Sequence, residues 1–370
     1  MVKYDVVIVG GGPGGCSAAL NIHRLDPDLA SRTLVLEKHK HPREKLCGGG
    51  VTRKVDLLLA KLGLGIDVPS IPLTVHRFTY RDRHHDFILQ GWVKVIRRDE
   101  FDAFLARVVK ERGMAFHEEE EVVEVRRMDE GLVVATNRTS YQAKVVIAAD
   151  GVHSVVRRSL DFPSGERLIQ GLVIELPANS EKEPAWLFKS MINNWDCFDL
   201  GSYGYYWEFP ILVEGRPYLQ CGLYSAGLVE AKDIKPTDVF RELLKRKGIN
   251  LDDHKLKGLP ERGFDPEAEF SRSNVLLIGE AAGIDSLTGE GISQAIEYGE
   301  LAAESIVDAF CLGNLSFSGY KDRVLGSRMG KELRSNLEFA RRLFSPDYES
   351  VMPERLAIFG RTDTLEKLKP

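Results

Sequence analysis

Asp5-Val6-Val7-Ile8-Val9-Gly10-Gly11-Gly12-Pro13-Gly14-Gly15 carries two signals in succession. The unbroken apolar, β-branched run reads as a strand buried on both faces, the kind found in parallel sheets. It ends in Gly10-x-Gly12-x-x-Gly15, and a helical pattern from Ser17 to Leu25 follows at once. Gly10 permits the tight turn, Gly12 lets the backbone approach a pyrophosphate, and Gly15 lets helix and strand pack closely. The helix N-terminus offers unpaired N–H groups and a partial positive charge to the phosphates. One such fingerprint is weak alone, but the next apolar run, Thr33-Leu34-Val35-Leu36, ends in the acid Glu37. A carboxylate there accepts hydrogen bonds from both ribose hydroxyls, at a spacing slightly above the usual ~20 residues that the polar Asp26-to-Arg32 connection absorbs. The expected ligand is a dinucleotide without a 2′-phosphate.

The bulk composition fits a globular protein of one large or two interlocked domains: 370 residues, 43% hydrophobic and 28% charged, with a formal net charge of −5. Mild acidity argues against nucleic-acid binding. Cys16, Cys47, Cys197, Cys221 and Cys311 are odd in number and widely spaced, which points to reduced thiols in a cytoplasmic protein. The strand pattern begins at about Tyr4, so neither a signal peptide nor a membrane span is expected.

Along the chain, Lys45-Leu46-Cys47-Gly48-Gly49-Gly50 implies backbone lying against something flat or bulky. It leads into an amphipathic helix with Thr52 as N-cap and Val55, Leu58, Leu59 and Leu62 on one face. Val75 to Tyr80 and Phe87 to Val95 read as a hairpin with Arg81 to Asp86 at its tip, and the adjacent His84 and His85 there read as a solvated tip rather than a metal site. Arg97-Arg98 opens a helix that stops at Gly113. Strands are expected at Ala115 to Glu119, Val122 to Met128, Leu132 to Thr136 and Tyr141 to Ala149, the last ending in Asp150-Gly151. The middle third, Arg158 to Arg262, is aromatic-rich. Its strand-like runs are Leu168 to Leu176, Ala185 to Ile192, Tyr205 to Pro210 and Tyr218 to Tyr224, with a polar loop at Pro177 to Pro184 and one helix, Thr237 to Lys247. α/β character returns with Asn274 to Ile278, the Gly279-Glu280-Ala281-Ala282-Gly283 break, Leu287-Thr288-Gly289-Glu290-Gly291-Ile292 and a helix to Phe310. The tail from Tyr320 is helical and basic; it reads as a solvated face, with attraction to a diphosphate or an anionic membrane surface as the alternative.

The order GxGxxG with Glu37, then Arg98, Ala149-Asp150-Gly151 and Gly279-Glu280-Ala281-Ala282-Gly283 resembles the FAD-binding fold of the para-hydroxybenzoate hydroxylase and glutathione reductase type over most of the first 310 residues. Within that superfamily, Lys45-x-Cys47-Gly48-Gly49-Gly50 and Tyr205-x-Trp207-x-Phe209-Pro210 resemble motifs of the geranylgeranyl reductases. The resemblance implies an α/β (α+β two-domain) protein: a discontinuous FAD-binding Rossmann domain (1–74, 97–157 and 263–310), an inserted antiparallel-sheet substrate domain (75–96 and 158–262) and a C-terminal helical tail (311–370). It implies FAD held by Gly10, Gly12, Gly15, Glu37 and Lys38, by Cys47, Gly48, Gly49, Arg98, Asp150 and Gly151, and by Gly279, Glu280, Gly289, Gly291 and Ile292. A helix N-terminus aimed at N1 and C2=O of the ring would stabilise the charge of reduced flavin. Two residues depart from the family pattern: Glu280 replaces an Asp, and Ser286 replaces a Pro.

The implied chemistry is reduction of isolated double bonds in prenyl chains. Tyr205, Trp207 and Phe209 alternate along a strand, share one face, and would line a tunnel for a polyprenyl substrate. Cys47, Tyr205 and Trp207 are the catalytic candidates, with the proton donor open between Cys47, a tyrosine such as Tyr205, and water. Cys47 is equally readable as a small space-filler. A single dinucleotide fingerprint leaves the reductant open between NAD(P)H, a reduced ferredoxin and another donor, and peripheral membrane contact is a further possibility for a lipid substrate. Two alternatives stand beside the reductase: a monooxygenase or halogenase on the same fold, and a non-catalytic prenyl binder like the GDP-dissociation inhibitors.

Overall fold

The structure is a computed structural model that describes residues 1–163, 168–178, 185–228 and 234–351. In chain order the strands are β1 (Val2–Val9), β2 (Thr33–Leu36), β3 (Gly50–Thr52), β4 (Ser70–Tyr80), β5 (Arg83–Ile96), β6 (Ala115–His117), β7 (Val122–Arg127), β8 (Leu132–Thr136), β9 (Ser140–Ala148), β10 (Leu168–Pro177), β11 (Ser190–Asn194), β12 (Gly204–Val213), β13 (Arg216–Ser225), β14 (Lys257–Arg262), β15 (Ser271–Arg272) and β16 (Val275–Leu277). The α-helices are α1 (Pro13–Leu25), α2 (Pro27–Ser31), α3 (Arg53–Ala60), α4 (Arg98–Glu111), α5 (Val155–Ser159), α6 (Pro236–Arg246), α7 (Ile292–Leu312), α8 (Tyr320–Gly326) and α9 (Arg328–Leu343).

The strands form two sheets. The first runs β15-β16-β9-β1-β2-β6, with β8 also paired to β9 and β7 to β8. Its centre is parallel: Val6 pairs with Thr33 on one side and Val145 on the other. Val6, Val7 and Ile8 have no exposed surface, which is why this strand is apolar at every position rather than at alternate ones. The second sheet runs β14-β10-β13-β12-β11-β4-β5-β3 and is antiparallel except where β11 meets β4. Its β3 lies at residues 50–52, inside the stretch assigned from sequence to the first domain.

Three local expectations are corrected. The hairpin tip is only Arg81-Asp82: β5 begins at Arg83, Arg77 bonds across the strands to both oxygens of Asp86, and the Arg81 amide donates to Asp196. The run from Ala185 is not a strand until Ser190, because Ala185–Lys189 coils as a 3-10 turn first. Consecutive apolar residues do not fix a period of two. Thr52 does occupy the N-cap position of α3, but its hydroxyl makes no cap bond and instead faces Glu290 Oε1 at 3.4 Å. Pairing also makes a strand of Lys257–Arg262, which the sequence reading left unassigned.

The expected Pro177-to-Pro184 loop beyond residue 178 and the tail from residue 352 lie outside the described residues. Within the tail, α9 is amphipathic. Met329, Leu333 and Leu337 enter the first core, and Ala340, Leu343 and Phe344 enter the second. Arg328, Lys331, Arg334, Arg341 and Arg342 are exposed on its other face.

Candidate active site

A cavity of about 350 Å³ lies at the C-terminal ends of β1, β2, β9 and β16, where ligands bind in parallel α/β sheets. Gly10, Gly12, Glu37, Lys38, Cys47, Arg98, Asp150, Gly151, Gly279, Glu280, Gly289, Gly291 and Ile292 line it. Gly15, Gly48, Gly49, Tyr205, Trp207 and Phe209 are not part of that lining.

Two helices begin on the cavity wall, α1 after Gly12 and α7 after Gly291, and neither N-terminus is capped by a side chain. Their first N–H groups are left for an anion. The entry to α1 depends on glycine. Gly10 has φ +108°, and a methyl group on Gly15 would fall 1.9 Å from the Gly10 carbonyl oxygen. Glu37, almost fully buried, accepts hydrogen bonds from the Gly11 amide at 2.9 Å and the His39 amide at 3.0 Å. Arg98 is clamped by both oxygens of Asp102, at 2.8 and 2.9 Å. Burial opposes the Arg98 charge, and the Asp102 carboxylate more than offsets that, so its pKa rises. Arg43 links the two acids, 3.3 Å from Asp102 and 3.4 Å from Glu37. Sequence reasoning missed Arg43, because nothing in His41-Pro42-Arg43 marks a site until folding lays it against α4.

Asp150 Oδ2 accepts from the Val155 and Val156 amides at 2.7 and 3.2 Å, and Oδ1 is buried with no partner. Burial raises its pKa, against those hydrogen bonds. The longer Glu280 reaches Lys45 at 3.3 Å and also lies close to Gly151. The Cys47 thiol accepts from the Gly49 amide at 3.3 Å while the residue borders both the main cavity and a cleft of about 30 Å³ beside it.

The aromatic strand does share one face, as its alternation requires, but that face is packed rather than open. Tyr205 stacks on Tyr224 at 5.0 Å, Trp207 covers Gly222, and Phe209 lies on Gly48. Tyr205 and Trp207 are 8% and 6% exposed, so an open tunnel is not what they line in this conformation. The Tyr205 hydroxyl donates to the Thr288 carbonyl, and Tyr224 donates to the Ser286 carbonyl at 2.8 Å. Asp285 holds the same turn from within, accepting from the Leu287 amide, the Thr288 hydroxyl and Asn336 of α9.

The second residue missed from sequence is Glu261, at the end of β14. It lines the cavity beside Gly289, whose added methyl would be 3.4 Å from its Oε2. That oxygen is buried without a partner. Burial, with the Glu280 charge, pushes the carboxyl up to about 8.

The donor set fits FAD. Glu37 suits a ribose, two uncapped helix ends with Arg98 suit a diphosphate and a flavin edge, and the free Asp150 oxygen suits a hydroxylated linker. Among the described residues no helix is long and apolar enough to cross a membrane.

The chain matches the family model of the FAD binding domain over residues 3–297. It is 28% identical to an uncharacterized protein of Methanosarcina barkeri over 92% of this chain and 82% of the relative. It is 26% identical to digeranylgeranylglycerophospholipid reductase 2 of Methanosphaera stadtmanae over 88% and 83%. The crystal structure of a geranylgeranyl bacteriochlorophyll reductase-like protein of Thermoplasma acidophilum superposes with a TM-score of 0.76 at 20% identity, covering 95% of this chain and 90% of that one. The chain thus belongs to the FAD binding domain family and is an FAD-dependent oxidoreductase.

Proposed function

We propose that this oxidoreductase saturates isolated carbon–carbon double bonds in a geranylgeranyl-type prenyl lipid. One observation carries the reading: two segments far apart in sequence, Lys45-x-Cys47-Gly48-Gly49-Gly50 and Tyr205-x-Trp207-x-Phe209-Pro210, meet where Phe209 covers Gly48, and Cys47 borders the cavity beside them. The relative named as a digeranylgeranylglycerophospholipid reductase supports the same substrate class.

In this reading, Gly12 with the α1 N-terminus and Arg98 hold the diphosphate of FAD, Glu37 its ribose, and Asp150 with Gly279 its ribityl chain. Bound FAD supplies hydride after reduction by NAD(P)H or a reduced ferredoxin. The N-terminus of α7, with Gly289 and Gly291 on the cavity wall, would stabilise the negative charge of a reduced flavin ring. Tyr205 fixes the Thr288 turn that carries those glycines. Cys47 would border the substrate space, with Trp207 and Phe209 packed on the adjoining Gly48.

The test is a single turnover. Reduce the bound flavin anaerobically with dithionite, add a geranylgeranyl lipid, and follow absorbance and product mass. Reoxidation with a product heavier by two hydrogens supports the reading. A flavin that stays reduced until oxygen enters, and then hydroxylates or halogenates an added aromatic, replaces it with a monooxygenase. A purified protein that binds no flavin replaces it with a prenyl carrier.

A further inference from the structure

Hydride addition to an isolated alkene leaves the second carbon needing a proton, and in water-poor surroundings an acid must stand beside it. The acids on and near this cavity differ in how their oxygens are engaged: Glu44 pairs with Lys257, Glu120 accepts from Thr136 and Tyr141, and Glu121 is exposed. Glu37 accepts two amides and pairs with Arg43. Glu280 pairs with Lys45. Asp285 accepts three donors through its two oxygens, and Glu290 accepts from Ser293 at 2.5 Å. Asp150 has one free oxygen, but the other accepts two amides, which favours the carboxylate. Glu261 shares an unpartnered buried oxygen with Asp150 but, among the described residues, accepts no amide and pairs with no cation. Its Oε2 is shut off from solvent, unpartnered, and beside Gly289 on the cavity wall.

We infer that Glu261 is the proton donor of this site, delivering the proton on Oε2 to the alkene carbon that does not receive hydride. This rests on the reductase reading above. The step balances: the carboxylic O–H breaks, a C–H forms, hydride supplied by reduced FAD completes the neighbouring carbon, and Glu261 is left as a carboxylate that takes up a proton from water entering the cavity once the product has left.

The charged and titratable groups facing Glu261 come from every element around it. Glu280 and Asp285 disfavour its ionised form, Lys45 and Arg98 favour it, and Tyr224 of β13, the strand beyond β10, also faces it. Burial and the acids win, so the carboxyl stays protonated at neutral pH, with a pKa of about 8. A neutral carboxylic acid at pH 7 is both a stable reserve of one proton and a ready donor of it.

The test uses Glu261→Gln and Glu261→Asp. On FAD-free protein, infrared difference spectra between pH 6 and pH 10 should show a carboxylic-acid carbonyl band lost on raising the pH through about 8, absent in Glu261→Gln and restored in Glu261→Asp. FAD binding should be retained in both variants, which shows the site intact. In the anaerobic single turnover with a geranylgeranyl lipid, Glu261→Gln should slow flavin reoxidation by about 100-fold or more, with Glu261→Asp recovering part of the rate. A wild-type spectrum without the band at pH 7, or a Glu261→Gln variant that turns over at the wild-type rate, overturns the assignment. Wild-type protein whose reduced flavin ignores the lipid overturns the reductase reading and takes the donor role with it, an outcome distinct from a silent variant of an active enzyme.

Discussion

Phe209 lies directly over Gly48: a methyl group added to Gly48 would come within 2.9 Å of the Phe209 ring. The loop that brings Cys47 to the cavity therefore has no room for a side chain one residue later. Gly48→Ala should cost about 1–3 kcal/mol of stability, the range for overpacking a filled core. Urea unfolding checks this, and adding Phe209→Leu should return most of the loss. A Gly48→Ala protein as stable as the parent would mean that the contact is loose.

Arg98 and Asp102 form a buried, two-pronged ion pair, and Asp102 has no exposed surface. Arg98→Ala leaves that carboxylate with Arg43 alone, at 3.3 Å. Breaking such a pair costs about 3–5 kcal/mol. The expected midpoint shift in urea should be much larger than for Arg97→Ala, whose Asp99 partner is partly exposed.

Glu37 presents two oxygens to its surroundings, and a glutamine keeps one acceptor but turns the other into a donor. Glu37→Gln should weaken FAD by about 10- to 100-fold, the value of one hydrogen bond to a charged group. Calorimetric titration of FAD-free protein with FAD measures it. An unchanged affinity would place the ribose elsewhere.

Stability should fall as the pH rises from about 4.5 to 8, because Glu261 keeps its proton when folded and releases it when unfolded. The slope from one such group is at most about 1.4 kcal/mol per pH unit. Its contribution is intact below the ordinary glutamate value of 4.5 and fully lost above about 8. Asp150, Asp285 and Glu290, also raised by burial, act in the same direction. Chemical denaturation across this range should therefore show a shallower decline in Glu261→Gln, not a flat line.

The nucleotide half of the fold was legible because its signals are local. A strand buried on both faces is apolar throughout, and a turn that brings two backbones within contact distance must be glycine at Gly10 and Gly15. Arg98, Asp150 and the two glycine turns near residues 280 and 290 came from a resemblance and all border one cavity. Glu261 and Arg43 were invisible for a physical reason: each is an ordinary charged residue whose meaning comes from strands and loops distant in sequence. Glu261 faces Gly289 only once the second sheet is closed by β14 on β10. The aromatic strand was half legible. Periodicity gave the shared face of Tyr205, Trp207 and Phe209, but whether that face is open or packed depends on Gly48, Gly222 and Tyr224, which periodicity does not report.

Helix α9 puts Leu333 and Leu337 into one core, Ala340 and Leu343 into the other, and Asn336 onto Asp285 of the glycine turn. During synthesis both sheets leave the ribosome before this helix does. Until it arrives, the two cores lack their shared plug and the Asp285 turn lacks one of its donors. The nascent enzyme therefore waits on one late segment to finish both halves, and a ribosome stalled ahead of residue 328 would hold out a chain whose Asp285 turn still lacks Asn336.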